Sequence, residues 1–224
     1  LKKMFQKKGL FAVMKAYGYA GAVCAGPMLL GVCLLLGTQV LMGAGGAAVC
    51  DRKLVNGMIT YTLLASLAWT NLGALVMTRY LADICYEKKY TEILPSFWGS
   101  VSLLLVPGTA LYACFLAVSG ISFRDVLFCG WLFATLVVVW TEMNVLMAWK
   151  DYGGILLTFA GMLVVAFSFG TVLVMTGADS VTAAMLAVVT AYGGMAVRYY
   201  DLLQRYFPQG EKEAFHFLEY QTIH

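Results

Sequence analysis

Charged residues divide this chain into long uncharged runs. Between ionisable positions the sequence reads Ala16–Cys50, Leu54–Thr78, Ile93–Phe123, Val126–Thr141, Tyr152–Ala178 and Ser180–Val197, runs of 35, 25, 31, 16, 27 and 18 residues. A helix rises about 1.5 Å per residue, so about 20 apolar residues cross a hydrocarbon core roughly 30 Å thick. Five of the six runs reach or approach that length. The fourth is cut short only by Glu142, after which Met143–Trp149 continues apolar except for Asn144. The first run holds one helix with interfacial turns, and Gly43-Ala44-Gly45-Gly46 near its end reads as a turn. Neither Ile155–Val165 nor Leu132–Val139 alternates apolar and polar positions as a membrane barrel strand does. Backbone groups in lipid must be satisfied within their own element, which leaves helices. The pattern predicts an all-α integral membrane protein with a bundle of six transmembrane helices over residues 16–206.

Composition narrows the function classes. The chain is 61% hydrophobic and only 12% charged, where a soluble domain runs about 45–50% and about 25%. So little charge cannot cover a water-facing surface, which excludes a soluble enzyme of ordinary build, and the apolar content excludes intrinsic disorder. The net charge of +3 is small and gives no reason to expect a nucleic-acid partner. Its placement is informative: 12 of the 15 basic residues fall in the N-terminal arm, the second and fourth connections and the tail, leaving Arg52, Lys53 and Arg124 opposite. Basic residues mark the cytoplasmic face, so both termini are expected inside, in the cytoplasmic (inner) membrane. The first apolar run is far longer than a signal-peptide core, so it is expected to stay in the bilayer.

The flanks read as surface segments. Residues 1–15 are basic and amphipathic, and residues 207–224 mix Phe215, Phe217, Leu218 and Tyr220 with Glu211, Lys212, Glu213 and Glu219, as an interfacial cytoplasmic tail or linker does. Opening on Leu1 and stopping just after such a tail, the sequence is expected to be one lobe of a longer polypeptide.

Few residues could carry chemistry. The six cysteines show no C-x-x-C spacing, and His216 and His224 sit far from any cluster, so neither a metal nor another cofactor is expected. Paired-carboxylate, phosphate-loop, H-E-x-x-H and G-x-S-x-G patterns are absent, which argues against an enzyme and assigns no catalytic residue. Glu142 stands out: eight residues before Lys150, it lies about 12 Å inside its helix end. A carboxylate there has to face protein or water, either bonded to a neighbouring helix or lining a cavity for substrate or a coupling ion. Arg79 and Asp83 share a helix face and can pair, and Asn71 lies two turns deeper on it. The stripe Asn71–Arg79–Asp83 suits the wall of a hydrated pathway, or, for the charged pair, an interfacial ladder. Gly18, Ala22 and Gly26 recur every four residues before Pro27, the spacing of close helix packing or of a hinge. Arg198, Asp201 and Arg205 read as anchors at a helix end, and Tyr199, Tyr200 and Tyr206 as an aromatic belt.

Four segments carry a resemblance. They are Lys15-Ala16-Tyr17-Gly18-Tyr19-Ala20-Gly21 with Gly26-Pro27, Thr78-Arg79-Tyr80-Leu81-Ala82-Asp83 with Tyr86-Glu87-Lys88-Lys89-Tyr90 and Ile93-Leu94-Pro95-Ser96, Lys150-Asp151-Tyr152, and Ala214-Phe215-His216-Phe217-Leu218. In that order the chain resembles the PelG-like inner-membrane transporters of the Pel exopolysaccharide. The resemblance implies the multidrug/oligosaccharidyl-lipid/polysaccharide exporter fold, with about twelve helices in two six-helix lobes, of which this chain would be the first. It also implies export of a galactosamine-rich polysaccharide in biofilm formation. The partners it implies are the second lobe, the membrane proteins PelD and PelE and the glycosyltransferase PelF, under cyclic-di-GMP control through PelD. A lipid-linked oligosaccharide flippase or cation-coupled drug exporter of the same superfamily, and a non-conducting scaffold of a polysaccharide synthase complex, stay open beside it.

Overall fold

The computed structural model describes residues 31–87, 89, 92–148 and 152–207. They form six helices: α1 (Gly31–Ala44), α2 (Val49–Glu87), α3 (Ile93–Val118), α4 (Phe123–Ala148), α5 (Tyr152–Met175) and α6 (Ser180–Tyr206). Helices α2 to α6 are each long and apolar enough to cross a membrane, and successive helices run in opposite directions through short connections. The basic arm 1–15, the Gly18–Ala22–Gly26–Pro27 stripe and the tail beyond Phe207 lie outside the described residues.

Helix α2 is longer than its uncharged run. It absorbs Asp51, Arg52 and Lys53 at its start and Arg79 to Glu87 at its end, reaching 39 residues. Charged side chains stop an apolar run but not a helix, because at the interface they reach water while the backbone continues its own hydrogen bonds. Asp51 sits in the first turn, where the helix dipole favours an acid. Arg52 Nε donates to the Ala47 carbonyl at 3.1 Å and so ties the helix start to the preceding turn.

Three turns cluster at the end of the bundle where α1, α3 and α5 stop, and each uses a glycine of positive φ: Gly46, Gly120 and Gly177. The closures of α1 and α5 are the same. Ala47 N bonds Met42 O and Gly46 N bonds Gly43 O, while Ala178 N bonds Leu173 O and Gly177 N bonds Val174 O. This paired pattern satisfies the last helix carbonyls and needs a left-handed residue, which glycine supplies without a Cβ clash. At the same end Arg124 of α4 reaches Asp179 at 3.2 Å, holding the starts of α4 and α6 together.

Helix α4 is the centre of the bundle, packing most extensively on α2 and α6 and also on α3, with α5 laid against α6. Half of the most apolar stretch of α4 and 56% of that of α6 are buried, against 22% for those of α2 and α3. The exterior is apolar as well: Leu75 is 80% exposed and Leu157 77%. Lipid gives no hydrophobic reason for these helices to associate, so shape and hydrogen bonding have to hold them. Shape is constrained from two sides at Gly170 of α5, where a Cβ would stand 2.6 Å from Leu41 of α1 and 3.1 Å from Ala187 of α6.

Two outcomes test this packing. Gly170→Leu should lower stability in detergent by about 1–3 kcal/mol through overpacking, whereas Gly161→Leu, on an open face of the same helix, should stay within about 0.5 kcal/mol; denaturant unfolding of both variants measures the contrast, and equal losses would refute it. Slight burial of Asp179 pushes its carboxyl up, but hydrogen bonds from Thr182 and the Arg124 guanidinium outweigh that and hold it below its ordinary value. A depressed carboxyl stabilises the fold fully above the unfolded value of about 3.9 and loses that contribution as pH falls through the folded value. The melting difference between wild type and Asp179→Asn should therefore be constant above about pH 5 and shrink below about pH 4; a difference that grows on acidification would contradict the pairing.

Candidate functional site

Polar side chains inside the bundle follow one rule on α2. Thr62, Ser66 and Thr70, four residues apart, are all buried. Thr62 Oγ1 donates to Met58 O at 2.6 Å and meets Tyr112 Oη of α3 at 2.7 Å. A hydroxyl has one proton; with that proton on Met58, the Tyr112 phenol donates to Thr62. Ser66 repeats the arrangement, donating to Leu63 O at 2.9 Å and accepting Trp140 Nε1 of α4 at 3.1 Å. These two hydroxyls thus return their protons to their own helix and offer lone pairs to an aromatic residue from a neighbour, while Thr70 donates to Ser66 O at 2.8 Å. The Phe133 ring of α4 stacks on Tyr112 with centroids 4.3 Å apart. Hydropathy does not set this stripe apart, because Thr and Ser barely interrupt an apolar run, although its spacing of four is legible in the sequence.

Helix α3 carries Pro107, which has no N–H for the carbonyl four residues back and opens the helix there. Trp69 of α2 packs beside this point: its indole donates at 2.8 Å to Leu104 O, the carbonyl next to the one Pro107 leaves free. The approach is possible only because the next residue is Gly108, where a Cβ would stand 2.4 Å from Trp69 Nε1. Beside this contact lies an apolar groove of about 600 Å³ between α2 and α3, lined by Tyr61, Leu64, Trp69, Leu72 and Phe115 among others.

Glu142 lies on the other side of α4. It is 1% exposed, and its Oε2 has no hydrogen-bond partner among the described residues. Tyr199 of α6 is within electrostatic range of it and donates its own hydroxyl to Ile155 O of α5 at 3.1 Å. Tyr192, two turns away on α6, is buried edge-on against Phe159, centroids 6.2 Å apart. Glu142 is therefore enclosed by protein where α4, α5 and α6 meet. An ionised carboxylate in such a place costs several kcal/mol unless it is partnered. Tyr199 is a correction to the aromatic-belt reading: it is wholly buried, because the side of α6 that carries it faces α5. Tyr200 does sit near that helix end, ring to ring with Trp98 at 5.4 Å.

The α2 stripe lies elsewhere. Asn71 and Arg79 are exposed and Asp83 half-buried, so the structure does not bring this stripe and Glu142 onto one surface. Arg198 and Arg205 both pair with Asp201, Arg205 at 3.0 Å, on the exposed last turns of α6. Asp125, in the first turn of α4, is another buried acid. It is 4% exposed, 3.5 Å from Arg124 Nε by its Oδ1, and that oxygen makes no hydrogen bond. Among the described residues no group of three or more His, Cys, Asp or Glu side chains converges to hold a metal ion.

If the α2 hydroxyls clasp the bundle, Thr62→Val and Tyr112→Phe should not be additive. A double-mutant cycle should give a coupling of about 0.5–1.7 kcal/mol. Additive losses in detergent unfolding would show that the two groups do not act together.

Comparison with known proteins fits this membrane bundle. No curated protein and no solved structure matches the chain. A family profile does, that of PelG, described as "Putative exopolysaccharide Exporter (EPS-E)", and it matches residues 1–224. Its full-length match, on a chain whose described residues hold five membrane-length helices, shows that the chain belongs to the PelG exopolysaccharide exporter family.

Proposed function

We propose that this chain is a transport lobe that exports a polysaccharide, of the galactosamine-rich Pel type, across the cytoplasmic membrane, with both termini inside. The observation that carries this reading is the exposure of Asn71 on α2. It lies eight residues inside Arg79, about 12 Å by helix rise. Lipid offers an amide no hydrogen bond at that depth, whereas a hydrated sugar route or a second lobe does. Arg79, two turns nearer the end, continues the same face. The proposed route runs along it between this lobe and a second six-helix lobe, and moves substrate by rocking of the lobes or as an open passage beside the synthase. PelD, PelE and PelF-like proteins are the proposed partners, and the chain works as a carrier, not a catalyst. Glu142 favours a second reading, a cation-coupled exporter of the same superfamily, because a buried carboxylate oxygen without a partner can take up a proton or sodium ion.

The test uses the full-length protein in a polymer-producing cell. Asn71→Leu and Arg79→Ala should each lower exported polymer by about tenfold, equivalent to roughly 1.4 kcal/mol of barrier, while polymer accumulates inside and membrane protein level holds. Normal export in both would remove the α2 route and leave the chain as a synthase scaffold. Loss of export in Glu142→Gln alone, together with sensitivity to collapse of the membrane potential, would select the cation-coupled reading.

A further inference from the structure

The groove between α2 and α3 has a charged mouth. Toward the start of α2 it continues into a second hollow of about 330 Å³ that shares Tyr61, Tyr112 and Phe115 with the first and reaches Lys53. Lys53 is exposed. The other cations near this end are engaged: Arg52 holds Ala47 O and Arg124 holds Asp179 and Asp125. Among the described residues Lys53 has no ion pair, so its ammonium is open to an anion. From Lys53 the groove follows α2 to Leu72, about 28 Å by helix rise, beyond the middle of a roughly 30 Å hydrocarbon core. Its walls are apolar and aromatic throughout, and Leu72, Leu111 and Phe115 are open to the membrane. The hollow therefore has one positive end at the interface and one long greasy arm in the core.

We propose that this groove binds one acidic phospholipid, its phosphate at Lys53 and one acyl chain lying over Tyr61 and Trp69 to Leu72. Charge complementarity at the mouth selects the headgroup, and an apolar hollow open to the bilayer takes up the chain. The Trp69–Leu104 hydrogen bond fixes the indole in the wall of the arm beside Gly108. The bound lipid fills the space between α2 and α3 and stiffens the face next to Asn71 and Arg79.

Native mass spectrometry of the detergent-purified full-length protein, titrated with dioleoyl phosphatidylglycerol or dioleoyl phosphatidylcholine, tests this. Wild type should retain phosphatidylglycerol in preference. Lys53→Gln, an exposed change that spares the core, should weaken phosphatidylglycerol about fivefold, the effect of one lysine at a lipid surface, and leave phosphatidylcholine unchanged. Ala68→Phe, which fills the arm from its exposed side, should reduce retention of both lipids. Equal retention of the two lipids by wild type, or an unchanged preference in Lys53→Gln, would overturn the headgroup assignment. Undiminished binding in Ala68→Phe would place the lipid elsewhere, and displacement of phosphatidylglycerol by an equimolar polyprenyl phosphate would give the groove to a carrier lipid instead.

Discussion

The absence of hydrogen-bonding solvent in the bilayer is the constraint on which this structure rests. Every backbone amide is consumed by its own helix, so the helices can hold one another only through side-chain hydrogen bonds and close fit. The clasps are few and specific: Tyr112 on Thr62, Trp140 on Ser66, Trp69 on the Leu104 carbonyl and Tyr199 on the Ile155 carbonyl. In each, an aromatic residue brings a donor on a large rigid body, so one side chain supplies both packing area and the bond. The first three hold α2, α3 and α4 together, and the fourth joins α5 to α6.

Around α4 these clasps create two different environments. On the α2 side every buried hydroxyl has a partner, which suits a seam that stays closed. On the α6 side Glu142 is enclosed with an oxygen that has none, close to tyrosines whose phenols add little compensating charge. A buried polar group left unsatisfied is a strained element of a fold and is tolerated where a protein uses it.

The outer face of the bundle carries its own asymmetry. The groove between α2 and α3 is greasy along its length and charged only at Lys53. Beside it Asn71 and Arg79 give α2 a polar edge. Helix α2 thus presents a lipid-like surface and a water-like surface side by side, the arrangement expected of an element that borders both bilayer and transport route.

Hydropathy alone was enough for the class, the helical build and the approximate spans, because about 20 uncharged residues have no stable state in lipid except a helix. It also marked Glu142 and Asn71, since strongly polar groups are conspicuous in an apolar run. Charge did not mark the start of α2, as Asp51–Lys53 interrupt an apolar run without interrupting the helix. Direction was beyond its reach. Within a bilayer both the inside and the outside of a bundle are apolar, so periodicity does not say which face a residue takes. Only the tertiary structure decided that Glu142 turns inward while Asn71 turns out, that Tyr199 is core and not belt, and that Thr62, Ser66 and Thr70 form a seam. Those outcomes depend on which helices meet, and that is settled by the fit of Gly170, Gly108 and the aromatic clasps between segments far apart in the chain.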